Sequence, residues 1–560
     1  MTSTPGDPSA AGLTLGVLGR AMPSGRSFAN SLIRRMSMNR WNVTLESLDL
    51  DEEGRGTAIY NIAAEGHRFT FVAFSDSISE EGRTERVIAQ RWDVMAALAD
   101  GPVDSDWIGR TREQLPFLRG GRAAPNTILW TRANRSSRFF DDLVTMLRAG
   151  AVDVPTVVQV GYALRNTGVY TNGKYGTRTF ASLGENHPLG AVYHVEILGL
   201  YMLREFSFDL LRHLIGRGSD SGLPPTLQRY LGVGNGSGLG MLQYVTNHPR
   251  RFHTWVDHHL SPWRLAASQP LIAESGEFDR ATTLVRRSAR FYDQDSRLNP
   301  VQRSPFADSR VIANDLDRVL TALRDETRTS GLERARRSLT WGDFERQVGV
   351  GLHPESRELV RVLVGDAYDR DADPSPRLLE SESTDPDAGM TVGTLRDLVA
   401  ADYGWALDID FDEPGAYDRF WYRSVEAQEP RIGRRGSWPD EFETVPSLPR
   451  RVQALQRRLD SADPGLLVGE LLLSAPDLRS VIARVQGQAG RPYGEVRVNT
   501  HDQSFQPVYI IRLLLALLGM EKFQPRSEYW VQGTFFQGAP TRDDIRRGDL
   551  ADWAYPVLPE

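Results

Sequence analysis

Between residues 42 and 75 apolar side chains recur at alternate positions: Val43, Leu45 and Leu48, then Ala58, Tyr60 and Ile62, then Phe69, Phe71 and Ala73. Glu53-Gly54-Arg55-Gly56 and Glu65-Gly66 break these runs, so the pattern predicts a three-stranded antiparallel meander. Helical spacing follows at 83–98, 106–117 and 132–147, the last with Phe139, Phe140, Leu143 and Leu147 on one side. The β-branched run 154–160 predicts a strand. Residues 189–215 predict one long helix, apolar nearly all round between Ile197 and Leu203 and therefore buried in its middle. Further helices are expected at 279–291, 309–328, 391–401, 449–459, 476–486 and 505–520, with strands around 406–411 and 494–499. No internal repeat is evident. The sum is an α+β fold with helix predominating, an N-terminal antiparallel meander followed by a large helical body.

Four regions are expected. Residues 1–125 form an N-terminal α+β domain, 126–365 a central, mainly helical domain carrying the candidate site, 366–389 an acidic linker or loop, and 390–560 a C-terminal α+β region. The linker stands out because eight acidic residues face two arginines between Asp366 and Asp387, with no aromatic beyond Tyr368. Residues 1–12 lack a basic stretch and an apolar core, so they read as a tail and not a signal peptide. The apolar stretch 508–520 is shorter than the ~20 residues that span a bilayer and is interrupted by Arg512. No membrane association is expected, and the expected compartment is the cytoplasm.

Composition narrows the chemistry. The chain has 560 residues, 40% of them hydrophobic and 25% charged, an ordinary globular balance. A net charge of -7 argues against a general nucleic-acid binder. With no cysteine, disulfides, thiolate metal sites and a thiol nucleophile are excluded, so any metal must use His, Asp or Glu. Of the 66 basic residues only Lys174 and Lys522 are lysine, and the other 64 are arginine. Arginine replaces lysine on solvated faces but not where an amine must lose its proton. The two lysines therefore draw attention. Lys522 follows an apolar helix, where a cation favours the C-terminus.

Lys174 lies in 165–187, RNTGVYTNGKYGTRTFASLGENH, which collects Tyr170, Asn172, Tyr175, Arg178, Glu185 and His187 around four glycines without helix or strand periodicity. A polar, glycine-broken loop is where sites are built. Tyr170 and Lys174 share the spacing of the Tyr and Lys of short-chain dehydrogenases, but Asn172-Gly173 is a turn signal and no TGxxxGxG cofactor loop follows a first strand. The second feature is 232–240, GVGNGSGLG, with five glycines before helical-looking residues 241–246. Such a segment suits a phosphate, carboxylate or oxyanion through backbone N–H groups. It fits neither GxGxxG nor GxSxG. Residues 19–27, GRAMPSGRS, are laid out like a P-loop with one residue too many and Arg26 in place of lysine, which argues against nucleotide hydrolysis.

The leading expectation is a cytoplasmic enzyme acting on a small anionic metabolite by lysine-assisted acid/base chemistry, of the lyase, isomerase or decarboxylase type. Lys174, Tyr170, His187 and Tyr175 are its candidate catalytic residues. Arg178, Asn172, Gly234, Asn235, Gly236, Ser237 and Gly238 are its candidate anion contacts. No cofactor is indicated, and a homo-oligomer is compatible with the reading. One alternative is a metal-dependent hydrolase or phosphoesterase using a divalent metal at His253, Asp257 and His258. There, Asp257-His258-His259 matches the tripeptide of a manganese phosphoesterase family whose Asp-rich upstream motif is not found. His501 and Asp502, at a strand end, form a further polar cluster. The other alternative is a non-enzymatic helical scaffold or subunit.

Overall fold

In the computed structural model the meander forms as β1 (Asn42–Leu50), β2 (Gly56–Ala64) and β3 (His67–Ser75), each antiparallel to the next. The structure describes residues 27–83, 91–118, 123–172, 187–216 except 192, 223–238, 260–295, 307–329, 339–368, 385–488 with breaks between 414 and 446, 507–525, 530–548, and Tyr555. The fold is α+β with helix predominating.

The sheet continues through β4 (Val94–Asp100), β5 (Thr127–Arg135), β6 (Tyr162–Thr171) and β7 (Gly232–Gly238), and ends on β12 (Trp530–Phe535) and β11 (Met520–Pro525), giving nine strands among the described residues in the order β1-β2-β3-β4-β5-β6-β7-β12-β11, while β8 (Trp421–Ser424), β9 (Pro430–Ile432) and β10 (Glu441–Phe442) form a separate sheet. It thus takes strands from the N-terminal, central and C-terminal parts of the chain. Several of these strands differ from expectation, for one physical reason. Residues 94–99 and 127–135 are buried on both faces, so the alternation that marks a half-exposed strand is lost and the alanines of β4 read as helix. In β6, the buried Arg165 and Asn166 made a strand look like a polar loop. Conversely, 154–160 is a short helix. Asp153 caps it by accepting from Thr156 N at 3.0 Å, Pro155 stands in its first turn, and Gly161 closes it at φ 75°. Capping chemistry prevails there over β-propensity.

Helices α1 (Phe28–Met38), α3 (Phe140–Arg148), α4 (Val154–Val160) and the 22-residue α5 (His194–Ile215) share the core on one face of the sheet. Leu198, Tyr201, Met202 and Phe206 of α5 share a core with Tyr60, Phe71, Leu129, Leu164 and Val233. The opposite face carries α2 (Ser105–Gln114), whose Trp107 lies with Val72, Phe74, Ala97 and Trp130. Helices Gly276–Asp295, Ser309–Arg328, Trp341–Gly349 and Pro354–Tyr368 enclose a second core with Tyr555.

Helices Val392–Leu407, Ser447–Asp460, Val468–Ser474 and Arg479–Gln488 enclose a third. The first of them runs through residues 406–407, so the strand expected at 406–411 is not formed. This third unit holds a short internal repeat that the sequence pattern did not reveal, Asp387-Ala-Gly-Met-Thr-Val-Gly393 and Asp463-Pro-Gly-Leu-Leu-Val-Gly469. Its two copies pair with near two-fold symmetry. Val392 N donates to Leu466 O at 2.8 Å and Val468 N to Met390 O at 2.9 Å, and each aspartate accepts from the glycine two residues on.

Candidate functional site

β6 and β7, between which the chain forms α5 and the short helix Pro225–Tyr230, are parallel, whereas the other recorded pairs of this sheet are antiparallel. Tyr162 faces Gly232, Arg165 faces Gly234 and Asn166 faces Asn235. Asn235 Nδ2 donates to Asn166 Oδ1 at 3.4 Å, and Asn166 Nδ2 in turn donates to Thr131 Oγ1 and Arg132 O at 2.5 and 3.1 Å. The recorded pairing of β6 with β7 ends at that register, while each strand continues on its outer partner. Gly168–Thr171 stay on β5, while Gly236–Gly238 stay on β12. The first turns of α5 lie at this end of β6, because Gly199 packs against Leu129, the partner of Thr171 in the sheet. Crevices at the carboxyl ends of parallel strands, next to a helix N-terminus, are where open sheets bind ligands.

Three ionisable groups near this end depart from their ordinary behaviour. Burial pushes Glu196 up to about 7, against the pull of its own N–H and of Thr171. Its Oε2 is shut off from solvent and has no partner among the described residues. His194, fully buried and 3.3 Å from Ser31 Oγ through Nε2, is held down to about 3 by burial and then by the nearby Arg35, so it is neutral. Glu65 is lowered to about 2, chiefly because Arg35 donates to both its oxygens at 2.7 Å while Trp41 Nε1 adds a third bond at 3.0 Å. The αL backbone of Tyr193 at φ 57°, immediately before α5, leaves the helix without a side-chain cap.

The predicted site residues distribute unevenly. Tyr170 points to the α2 face, stacked on Trp130 at 5.7 Å and lying 5.4 Å from the Arg132 guanidinium. His187 is on the α5 face, edge-on to His67 at 4.8 Å and to Phe69 at 6.0 Å, with Nδ1 accepting from Leu189 N. The sheet thus separates Tyr170 from His187. Asn172 ties down the start of β5, donating to Ala124 O and Thr127 O at 3.1 and 3.0 Å. Gly234, Asn235, Gly236, Ser237 and Gly238 are strand residues paired with β12, so they do not form the loop before a helix that their composition suggested. Lys174, Tyr175, Arg178, Glu185, His253, Asp257, His258, His501 and Asp502 lie outside the described residues. Lys522 is in β11 opposite Thr534 rather than at a helix end. Among the described residues no cluster of three or more His, Asp or Glu side chains is placed to hold a metal, and no helix is long and apolar enough to cross a membrane.

A second concentration of charge sits further along α5, where Asp209 accepts from Tyr60 Oη at 2.7 Å, from Arg212 at 2.9 Å and from both terminal nitrogens of Arg542. Arg204 donates to the carbonyls of Leu231, Ala539 and Pro540. This knot is saturated and closed. It fastens the C-terminal segment to α5 and offers a ligand nothing to bind.

Glu196 is the ionisable residue that sequence reasoning missed. An acidic residue in the first turn of a helix flanked by two strands was the available signal, and it requires 162–238 to be read as one strand–helix–strand unit. Compared with protein-family models, with curated proteins and with solved structures, the chain matches none.

Proposed function

We propose that this chain is a cytoplasmic enzyme that holds a small anionic metabolite, a carboxylate or a phosphate, beside the parted ends of β6 and β7 and moves a proton on it. Lyase, isomerase and decarboxylase reactions are the classes that need this chemistry. Lys174, three residues past the end of β6, supplies the amine. The observation that supports this reading is the parallel pairing of β6 with β7: two segments singled out from sequence on separate grounds leave the sheet side by side. The positive end of the α5 dipole lies at the same end.

The test is turnover by the full chain on a panel of small carboxylic acids and phosphate esters, with and without a chelator. Lys174→Arg keeps the charge but removes the exchangeable amine, so turnover should fall by 10²-fold or more, on the order of a general acid–base contribution. Full turnover by that variant would exclude the lysine from the chemistry.

A further inference from the structure

We infer a second ligand site, on the α2 face of the meander, that takes a short free peptide by both of its charged ends. It lies apart from the ends of β6 and β7 and does not depend on the reading above. An open cavity of about 450 Å³ is found here, a size that holds small ligands. Its floor is a patch of three strands in register. Asn61 of β2 stands between Thr70 of β3 and Thr44 of β1, and two residues along Arg68 of β3 stands beside Ala63. Thr70 alternates with Val72, which packs in the core beneath α2, so this is the α2 side of the sheet. Pro102 and Val103 wall the cavity on the β3 side. They are held there by Gly101, whose N–H donates to Arg68 O at 2.9 Å and whose carbonyl accepts from the Thr70 hydroxyl at 2.9 Å. β1, an outermost strand of the sheet, leaves the other side open.

The lining selects the class of ligand. Glu46 and Arg68 both line the cavity, from its two outer strands and on opposite sides of the Thr44, Asn61 and Thr70 row. Asn61 Nδ2 donates to Glu46 Oε2 at 2.8 Å, which steadies that carboxylate, while its other oxygen has no partner among the described residues. The Arg68 guanidinium has no ion pair among them either. A purely anionic ligand meets the charge of Glu46 and a purely cationic one that of Arg68, so a ligand carrying both charges is favoured. A nucleobase would need an aromatic platform, and the one aromatic residue of the lining, Phe69, turns its ring into the opposite core at 1% exposure. Two strand spacings and about four residues of rise set the Arg68 and Glu46 backbones about 15 Å apart. Side chains reaching in from both leave the span of an extended di- or tripeptide, about 7–10 Å. In that pose the peptide carboxylate takes the two parallel N–H bonds that a guanidinium offers, the ammonium meets Glu46, and the amides lie over Asn61.

The test is calorimetric titration of the full chain at pH 7 with triglycine, N-acetyltriglycine and triglycine amide. Triglycine should bind, and each capped form about tenfold more weakly, the loss expected for one charge-assisted pair. Arg68→Gln should bind triglycine and its amide alike while still preferring triglycine to the acetylated form. Glu46→Gln should show the reverse. Both side chains are exposed, so the variants keep the fold, and unchanged melting temperatures check it. No binding of triglycine at millimolar concentration overturns the inference, and so does equal binding of the three peptides. Binding that both variants leave untouched also overturns it, because the peptide then sits elsewhere, the ends of β6 and β7 included.

Discussion

Arg542 grips Asp209 with both terminal nitrogens, at 2.5 and 3.0 Å, across 333 residues of chain. Asp209 is buried in α5 and also accepts from Tyr60, so this one carboxylate joins β2, α5 and the C-terminal helix Arg542–Arg547. Breaking a buried pair by removing one partner costs about 3–5 kcal/mol, because the other charge is left enclosed and uncompensated. Arg542→Ala should therefore destabilise the chain by that amount in guanidinium denaturation. A loss under about 1 kcal/mol would mean that water reaches Asp209 and the knot is open.

Glu205 and His194 predict opposing pH dependences. Glu205 is raised from 4.5 to about 7 by burial, so the stability it contributes is complete below pH 4.5 and is lost as pH rises to 7. His194 is lowered from 6.5 to about 3, so its contribution is present above pH 6.5 and is lost as pH falls toward 3. Each slope approaches about 1.4 kcal/mol per pH unit where the two states differ by a full proton. Between pH 4.5 and 6.5 the two oppose each other. Glu205→Gln should tilt the stability curve upward with pH in this window, and His194→Asn should tilt it downward. Curves parallel to the wild type would show that neither group keeps its enclosed state.

Gly232 and Gly234 of β7 are required by their neighbours. A Cβ on Gly232 would stand 2.1 Å from the Phe535 carbonyl oxygen, and one on Gly234 would stand 2.6 Å from the Tyr162 ring. A ring has limited freedom to move, whereas a paired backbone carbonyl has almost none. Thermal denaturation should show both alanine variants destabilised, Gly234→Ala by about 1–3 kcal/mol and Gly232→Ala by more. Equal and small losses would contradict the packing described here.

Glu65 defines the acid limb of stability near the site. Its carboxylate, held at about 2, contributes stability that is present above pH 4.5 and is lost as pH falls toward 2. Glu65→Gln should reduce stability at pH 7 by about 1–3 kcal/mol, as for hydrogen bonds to a charged group, and flatten the decline between pH 4.5 and 2. An unchanged acid limb would assign it to other carboxylates.

What the sequence made legible followed exposure. The meander of β1–β3 showed its alternation in residues such as Asn61 and Ala63, which face solvent between buried Tyr60, Ile62 and Ala64. Helix Ser309–Arg328 was readable to its ends because its polar face is equally clear and Asp308 caps it. β4 and β5 gave no such alternation, since the sheet is covered on both sides there. The candidate site was half legible. Lysine scarcity and glycine spacing drew attention to the two segments that turn out to be neighbouring strands or to follow directly from one. The first turn of α5 was passed over, because a long, nearly all-apolar helix draws attention to its buried middle and away from its ends. What makes Glu196 notable is that its Oε2 is shut off from solvent, a tertiary circumstance that no local pattern encodes.

The central claim is that an anion binds where β6 and β7 part, and locating one directly tests it best. Crystals of the full chain grown at pH 6 with selenate, whose selenium scatters anomalously, should show a bound anion within hydrogen-bond reach of Thr171, Glu196 or the first-turn N–H groups of α5. Selenate found only elsewhere on the surface, or a strand end filled by the chain's own side chains, would contradict the account.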